Sequence, residues 1–253
     1  MYRSTRCTGC AECVRICPKN AISCDGKSIS IDRKKCCPCG KCCQKCPTGA
    51  LGIVGKEMNP NEVLKEIDKD LIFYGESDGG VTVSGGEPLL QLGFLKTLLE
   101  ECKERNIRTA VDTCGYAPHK SIDMISDKVD LFLYDIKLMD ERKHRKYTGV
   151  SNKLILDNFK RLAENGSNVL VRFPIIPGIN DSEDNVTQTA ELMISCGTKN
   201  ISLLPYHRAG TEKYTGLGRT YKLSKTRSPS DQNLRRIKVE LEGLGLRVKI
   251  GGG

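Results

Sequence analysis

The feature that most constrains this chain is a run of six cysteines within twelve residues, "CCPCGKCCQKCP" at 36–47. It is one half of an internal repeat. Cys7, Cys10, Cys13, Cys17 and Pro18 follow Cys-x2-Cys-x2-Cys-x3-Cys-Pro, and Cys36, Cys39, Cys42, Cys46 and Pro47 follow it again, offset by 29 positions. The trailing residues repeat too, Ala21–Ile22 against Ala50–Leu51. This is the bacterial two-cluster ferredoxin pattern, in which the fourth cysteine of each run ligates the other cluster. One 4Fe–4S cluster is therefore expected on Cys7, Cys10, Cys13 and Cys46, and a second on Cys17, Cys36, Cys39 and Cys42. Zinc also uses Cys-x2-Cys pairs, but two full runs each closed by proline favour iron and sulfur. Cys24, Cys37 and Cys43 are read as incidental thiols.

Eleven of the fourteen cysteines lie between Cys7 and Cys46, leaving only Cys102, Cys114 and Cys196 beyond. A disulfide framework would need export, and neither a signal peptide nor an apolar run long enough for a membrane span is read here. The expected location is cytoplasmic. The net charge of +9 invites a nucleic-acid reading, but residues 1–55 hold ten Lys/Arg against three Asp/Glu, and the rest of the chain is near balance. Two clusters of roughly −2 each would offset part of that excess, so the lysines are read as counter-charge and no nucleic-acid or membrane partner is expected.

Residues 1–55 are thus expected to form a ferredoxin-like domain and residues 56–253 a second domain. From Asn59, an N-cap followed by Pro60 and apolar Val63, Leu64 and Ile67 at helical spacing, the chain alternates β-rich runs with helical stretches. The runs are 81–84, 107–112, 129–135, 169–174, 201–206 and 246–250. Repeated βα units imply a parallel sheet, open or rolled into a barrel. Five successive runs end in polar residues: Ser84-Gly85-Gly86-Glu87, then Asp112, then Asp135 and Lys137, then Arg172, then His207. A barrel or partial barrel gathers such ends at one mouth. Singly each has a plain reading, as a turn, an ion pair or a structural histidine. "DERKHRK" (140–146) reads as a solvated helix face.

With "GGVTVSGGEPLLQ", "DTCGY", "LFLYDIKLMD", "HRKYTGV", "VRFPIIPGIN" and "LLPYH" following the cysteine module, the chain resembles the glycyl-radical-enzyme activating enzymes. These are radical S-adenosylmethionine (SAM) proteins similar to pyruvate formate-lyase activating enzyme, here of the type with a two-cluster insert. The resemblance runs from Cys7 to the C-terminal "RVKIGGG". It implies an α/β fold with a partial (β/α)6 barrel, and SAM held by Gly85, Gly86 and Glu87 at its amino group. Asp135 and Lys137 would lie beside its methionine moiety, and Arg172 and His207 around its carboxylate and ribose. Asp112 would be a companion of a monovalent-cation site. It further implies reductive cleavage of SAM to a 5′-deoxyadenosyl radical, a glycyl-radical enzyme as protein partner, and a flavodoxin or ferredoxin as electron donor.

That chemistry needs a third cluster with a vacant iron, which the family supplies with Cys-x3-Cys-x2-Cys after its first barrel strand. In this sequence the one match is Cys39, Cys43 and Cys46, and using it would strip both ferredoxin sets. The barrel is therefore expected to lack its first strand and no catalytic residue is assigned. The third cluster is expected only in a full-length form, with a reading frame starting earlier favoured over a naturally short chain. A ferredoxin-like electron carrier with a vestigial barrel, and a radical-SAM enzyme of another substrate class, are the alternatives. Reconstituted under anaerobic conditions, these 253 residues should bind about eight irons as two four-iron clusters and make no 5′-deoxyadenosine with dithionite. About twelve irons, or turnover, would overturn that ligand assignment.

Overall fold

In the computed structural model, which describes residues 1–251, the chain divides into two units. The first is Met1–Glu57 together with His207–Lys225; the second is Met58–Tyr206 with Thr226–Gly253. The first break falls two residues from the expected 55/56 boundary. The return of 207–225 to the cysteine unit has no counterpart in the sequence reading.

The cysteine unit repeats in space as it does in sequence. Two four-residue helices, Glu12–Arg15 and Lys41–Gln44, each start from a left-handed residue, Ala11 (φ 58°) and Gly40 (φ 75°). Asn20 (φ 47°) and Gly49 (φ 62°), again 29 apart, are left-handed as well. Strands β1 (Ile22–Cys24) and β2 (Ile29–Ile31) form an antiparallel hairpin, and its counterpart is the single bridge Tyr2↔Leu51. Gly9 is obligatory: its φ is +71°, and a Cβ there would sit 2.2 Å from the Gly26 carbonyl oxygen in the hairpin turn. Segment 207–225 joins through Gly216, whose carbonyl accepts from Tyr2 N at 3.0 Å and Arg33 Nη2 at 3.4 Å. The apolar cluster here is small, Cys13, Ile22, Ile29 and Leu51 with flanking cysteines. A unit of this size usually needs a staple beyond its core.

The second unit is built on a six-stranded parallel sheet in unbroken chain order: β3 (Gly80–Val83), β4 (Arg108–Thr113), β5 (Leu131–Asp135), β6 (Val169–Ile175), β7 (Asn200–Pro205) and β8 (Arg247–Ile250). Each agrees with an expected β run to within a residue or two. The first helix, Pro60–Ile67, starts as its sequence predicts. The Asn59 side chain accepts from Glu62 N at 3.0 Å, and Glu62 accepts from Asn59 N at 2.8 Å, a capping box. Helices Leu92–Glu104, Lys153–Glu164, Glu183–Ser195 and Asp231–Gly243 occupy the crossovers. Their apolar stripes pack on alternate sheet residues such as Val111, Phe132, Val171 and Leu203. Burying Phe132, Phe159 and Phe173 completely contributes about 1.5–3 kcal/mol each. The helix Glu141–Thr148 carries the charged run and is mostly solvated, but His144 is buried, its Nδ1 2.8 Å from the Val150 carbonyl. Among the described residues no helix is long and apolar enough to cross a membrane.

Alternation along the strands sets up the site. On β4, Thr109, Val111 and Thr113 are buried against the helices, whereas Ala110 and Asp112 are half-buried on the other face. On β5 and β6 the half-buried set includes Leu133, Asp135, Leu170 and Arg172. Tyr134 lies wholly buried, its hydroxyl donating to Ile155 O at 2.6 Å, and burial holds its pKa well above the usual phenol range. Gly115 (φ +67°) passes so close that a Cβ would come 1.8 Å from that hydroxyl. Gly115→Ala should therefore cost about 2–4 kcal/mol through overpacking and left-handed strain. A urea titration followed by circular dichroism should show a clearly lower midpoint, and an unchanged midpoint would contradict this packing.

Candidate functional site

Two groups of side chains stand out, one in each unit. In the first, Cys7, Cys10, Cys13 and Cys46 line one cavity, with Tyr2, Ile29 and Leu51 as apolar wall. The short helices bring the first run's three leading cysteines and the second run's last cysteine to it. The remaining thiols also interact: Cys36 feels the charge of Cys42 and Cys17, and Cys42 that of Cys39. Burial pushes the thiols of Cys13, Cys36 and Cys42 up. The Lys41 N–H draws Cys39 down. For Cys46 burial works upward, but backbone N–H groups and the Thr48 hydroxyl outweigh it and leave it lowered. Among the described residues no three His, Cys, Asp or Glu side chains converge on a single-ion position.

In the second unit, the C-terminal ends of β3, β4 and β5 open onto a cleft. It is lined by Ser84, Gly85, Gly86, Glu87, Asp112, Thr113, Cys114, Asp135 and Lys137. Larger hollows open at the N-terminal strand ends, near Asp78, Arg108 and Arg247, but parallel α/β sheets bind ligands at their carboxyl ends. Seven of the eight residues singled out at this unit's strand ends line the cleft. Arg172, the eighth, reaches it by pairing with Asp112 at 2.5 Å. His207 belongs to the first unit, where its Nδ1 accepts from Ala209 N at 3.3 Å.

The cleft's charges are arranged in two knots. Asp112 accepts from Ser84 Oγ at 3.2 Å and pairs with Arg172; Asp135 pairs with Lys137 at 2.9 Å and lies 3.9 Å from Arg172 Nε. Parallel pairing sets Asp135 directly beside Arg172, so this knot follows from the sheet register. Asp135 Oδ1 is buried and has no hydrogen-bond partner among the described residues. In the second knot, Glu87 Oε1 accepts from Thr113 Oγ1 at 2.6 Å and Leu89 N at 3.3 Å. Its Oε2 accepts from Cys114 N at 3.0 Å and Cys114 Sγ at 3.1 Å. Burial, followed by the Glu87 carboxylate, pushes the Cys114 thiol up. Gly85 (φ +135°) and Gly86 border open space, since a Cβ on either meets no atom within 4 Å.

Sequence reasoning did not assign Thr113 and Cys114, although "DTCGY" carried part of the resemblance. It also missed three buried asparagines that hold the loop bearing Lys137. Asn180 donates to Lys137 O, Asn152 donates to Leu138 O and Met139 O, and Asn185 accepts from Met139 N. Asn180 and Asn185 come from more than forty residues further along the chain.

Residues 36–190 match the Radical SAM superfamily, and residues 2–23 match the 4Fe-4S binding domain. The chain is 43% identical over 255 residues to trans-4-hydroxy-L-proline dehydratase activating enzyme of Clostridioides difficile, covering 100% of this chain and 84% of that relative. It is 38% identical to choline trimethylamine-lyase activating enzyme of Oleidesulfovibrio alaskensis, covering 94% and 79%. A domain of pyruvate-formate lyase-activating enzyme from Bacteroides vulgatus superposes with a TM-score of 0.59 at 35% identity, over 69% of this chain and 99% of that domain. These matches make the chain a radical SAM protein with a 4Fe-4S binding domain. Within that class, the chain belongs to the glycyl-radical-enzyme activating enzymes.

Because the Glu87 carboxylate helps raise the Cys114 pKa, Glu87→Gln should lower it toward the ordinary thiol range. More thiolate at pH 8 means faster alkylation, by about threefold or more. Peptide mapping after timed iodoacetamide labelling would measure it, and an unchanged or slower rate would speak against the contact.

Proposed function

We propose that the cysteine unit holds two four-iron clusters, on Cys7, Cys10, Cys13 and Cys46 and on Cys17, Cys36, Cys39 and Cys42, and that the strand-end cleft of a partial barrel holds SAM. The single observation that carries the second point is the cleft itself, where open space above two glycines meets Lys137 and the orphaned, buried Asp135 Oδ1. Those residues fit a zwitterionic ligand. Glycines admit close backbone approach, a lysine and an arginine suit a carboxylate, and Asp135 and Glu87 suit an ammonium. The cavity on the first four cysteines supports the crossed ligand assignment.

When bound and reduced, SAM supplies the radical that removes a hydrogen from a glycine of the partner enzyme. The residues of this chain hold and orient. Thr113 and Cys114 fix the Glu87 carboxylate, and Arg172 and Lys137 keep Asp112 and Asp135 paired until a ligand competes. Arg172 pairs with Asp112 at the place where a monovalent cation would lie. His207 serves the cysteine unit in this reading. Four thiolates saturate each cluster, so neither leaves a vacant iron, and the two clusters act as electron wiring for the cluster that meets SAM. The electron comes from a reduced carrier protein, in the reducing cytoplasm that such thiols require.

Lys137→Ala and Glu87→Ala should each weaken SAM binding about tenfold or more, read by equilibrium dialysis; undiminished affinity in both would remove the assigned site. A trans-4-hydroxy-L-proline dehydratase, the partner named for the 43% identical relative, is the first glycyl-radical enzyme to mix with the chain. The expected readout, from a form of the chain to which the third cluster has been restored, is a glycyl-radical signal in electron paramagnetic resonance. A restored SAM-cluster enzyme that radicalises no glycyl-radical enzyme would refute the activase reading.

A further inference from the structure

The net charge of this chain is carried by one unit. Met1–Glu57 with His207–Lys225 holds sixteen Lys/Arg against five Asp/Glu, whereas the other unit holds twenty-four against twenty-six. Two clusters of roughly −2 each leave the cysteine unit strongly positive, so counter-charge alone does not account for the excess. Among the described residues, the salt bridges within 1–57 are Arg15–Glu12 and Lys35–Asp32, both between exposed side chains.

The excess has a focus. From Arg33 to Lys56 there are six Lys/Arg and no Asp or Glu. Lys34, Lys41 and Lys45 are exposed, and so are Cys37 and Cys39 beside them. The same stretch offers an apolar spot. Ile53 and Val54 are 62% and 68% exposed, and Ile53 lies over Gly40, where a Cβ would come 2.7 Å from its Cδ1. Two exposed aliphatic side chains thus belong to a lysine-rich, carboxylate-free segment that also carries Cys36, Cys39 and Cys42.

We propose that this face of the second cysteine run is the electron-entry site, docking an acidic one-electron carrier protein. The inference rests on the reading of Cys17, Cys36, Cys39 and Cys42 as ligands of one cluster. Opposite charge raises the encounter rate, and a small apolar contact seats a short-lived complex of the kind electron-transfer partners use. The step is simple: one electron leaves the reduced carrier, which ends oxidised, and enters the oxidised cluster, which ends reduced. No bond forms or breaks and no proton moves. A nucleic acid would use the charge, but residues 33–56 contain no aromatic side chain on which a base could stack.

The test compares the cluster-loaded chain with the triple variants Lys34→Glu/Lys41→Glu/Lys45→Glu and Lys34→Gln/Lys41→Gln/Lys45→Gln. Reduction by prereduced plant-type ferredoxin is followed by stopped flow at low salt, and reduction by photoreduced deazaflavin, a small neutral molecule, is the control. Ferredoxin reduction should slow about tenfold or more in the glutamate variant and about threefold in the glutamine variant. The wild-type rate should fall as salt rises, and deazaflavin reduction should stay the same in all three. Equal ferredoxin rates in loaded wild type and variants would overturn the docking face. If the glutamate variant loads too little iron, the glutamine variant decides alone. A wild-type chain that shows no reduced 4Fe–4S signal with deazaflavin would instead remove the cluster reading beneath it. A single-stranded RNA of similar charge that blocks ferredoxin reduction below ferredoxin's own saturating concentration would mark a nucleic-acid face and also overturn the proposal.

Discussion

Parallel pairing in unbroken order is the constraint on which the second unit depends. Because side chains alternate along a strand, a register that buries Val111, Phe132 and Val171 on the helix side necessarily turns Asp112, Asp135 and Arg172 to the other. A slip of one residue in β5 or β6 would drive a carboxylate or a guanidinium into the aliphatic core, so the core and the cleft are specified by the same hydrogen-bond ladder. The apolar half of each strand secures the fold, and the other face of β4, β5 and β6 carries Asp112, Asp135 and Arg172.

The cysteine unit obeys a different constraint. Its apolar cluster is small, and its shape comes from left-handed backbone positions spaced 29 apart, at Ala11 and Gly40 and again at Asn20 and Gly49. These turn the chain sharply so that short helices deliver cysteines from both halves of the repeat to a common cavity. Geometry of that kind suits a domain in which inorganic sulfur and iron take the place of a larger core.

Much of this was legible in the sequence. The two cysteine runs, the capping box at Asn59 and the six β runs are local patterns, and each depends on residues close in the chain. What escaped depends on residues far apart. Thr113 and Cys114 matter because they meet Glu87, and nothing near position 113 announces that. His207 follows a strand just as Asp112 and Asp135 do, yet the chain after Tyr206 leaves the sheet's unit for the cysteine unit, a topological turn without a composition signal. His144 sits in the most charged helix and is buried because Val150 folds back to accept its hydrogen bond.

The three asparagine side chains behind Lys137 carry one more implication. They clamp the backbone of 137–139 from separate segments, and each lost amide contact would strand a buried polar group. That rim of the cleft is therefore an anvil rather than a hinge. Whatever yielding accompanies the arrival and departure of ligands falls to the exposed serine and twin glycines after β3, where no comparable clamp among the described residues stiffens the main chain.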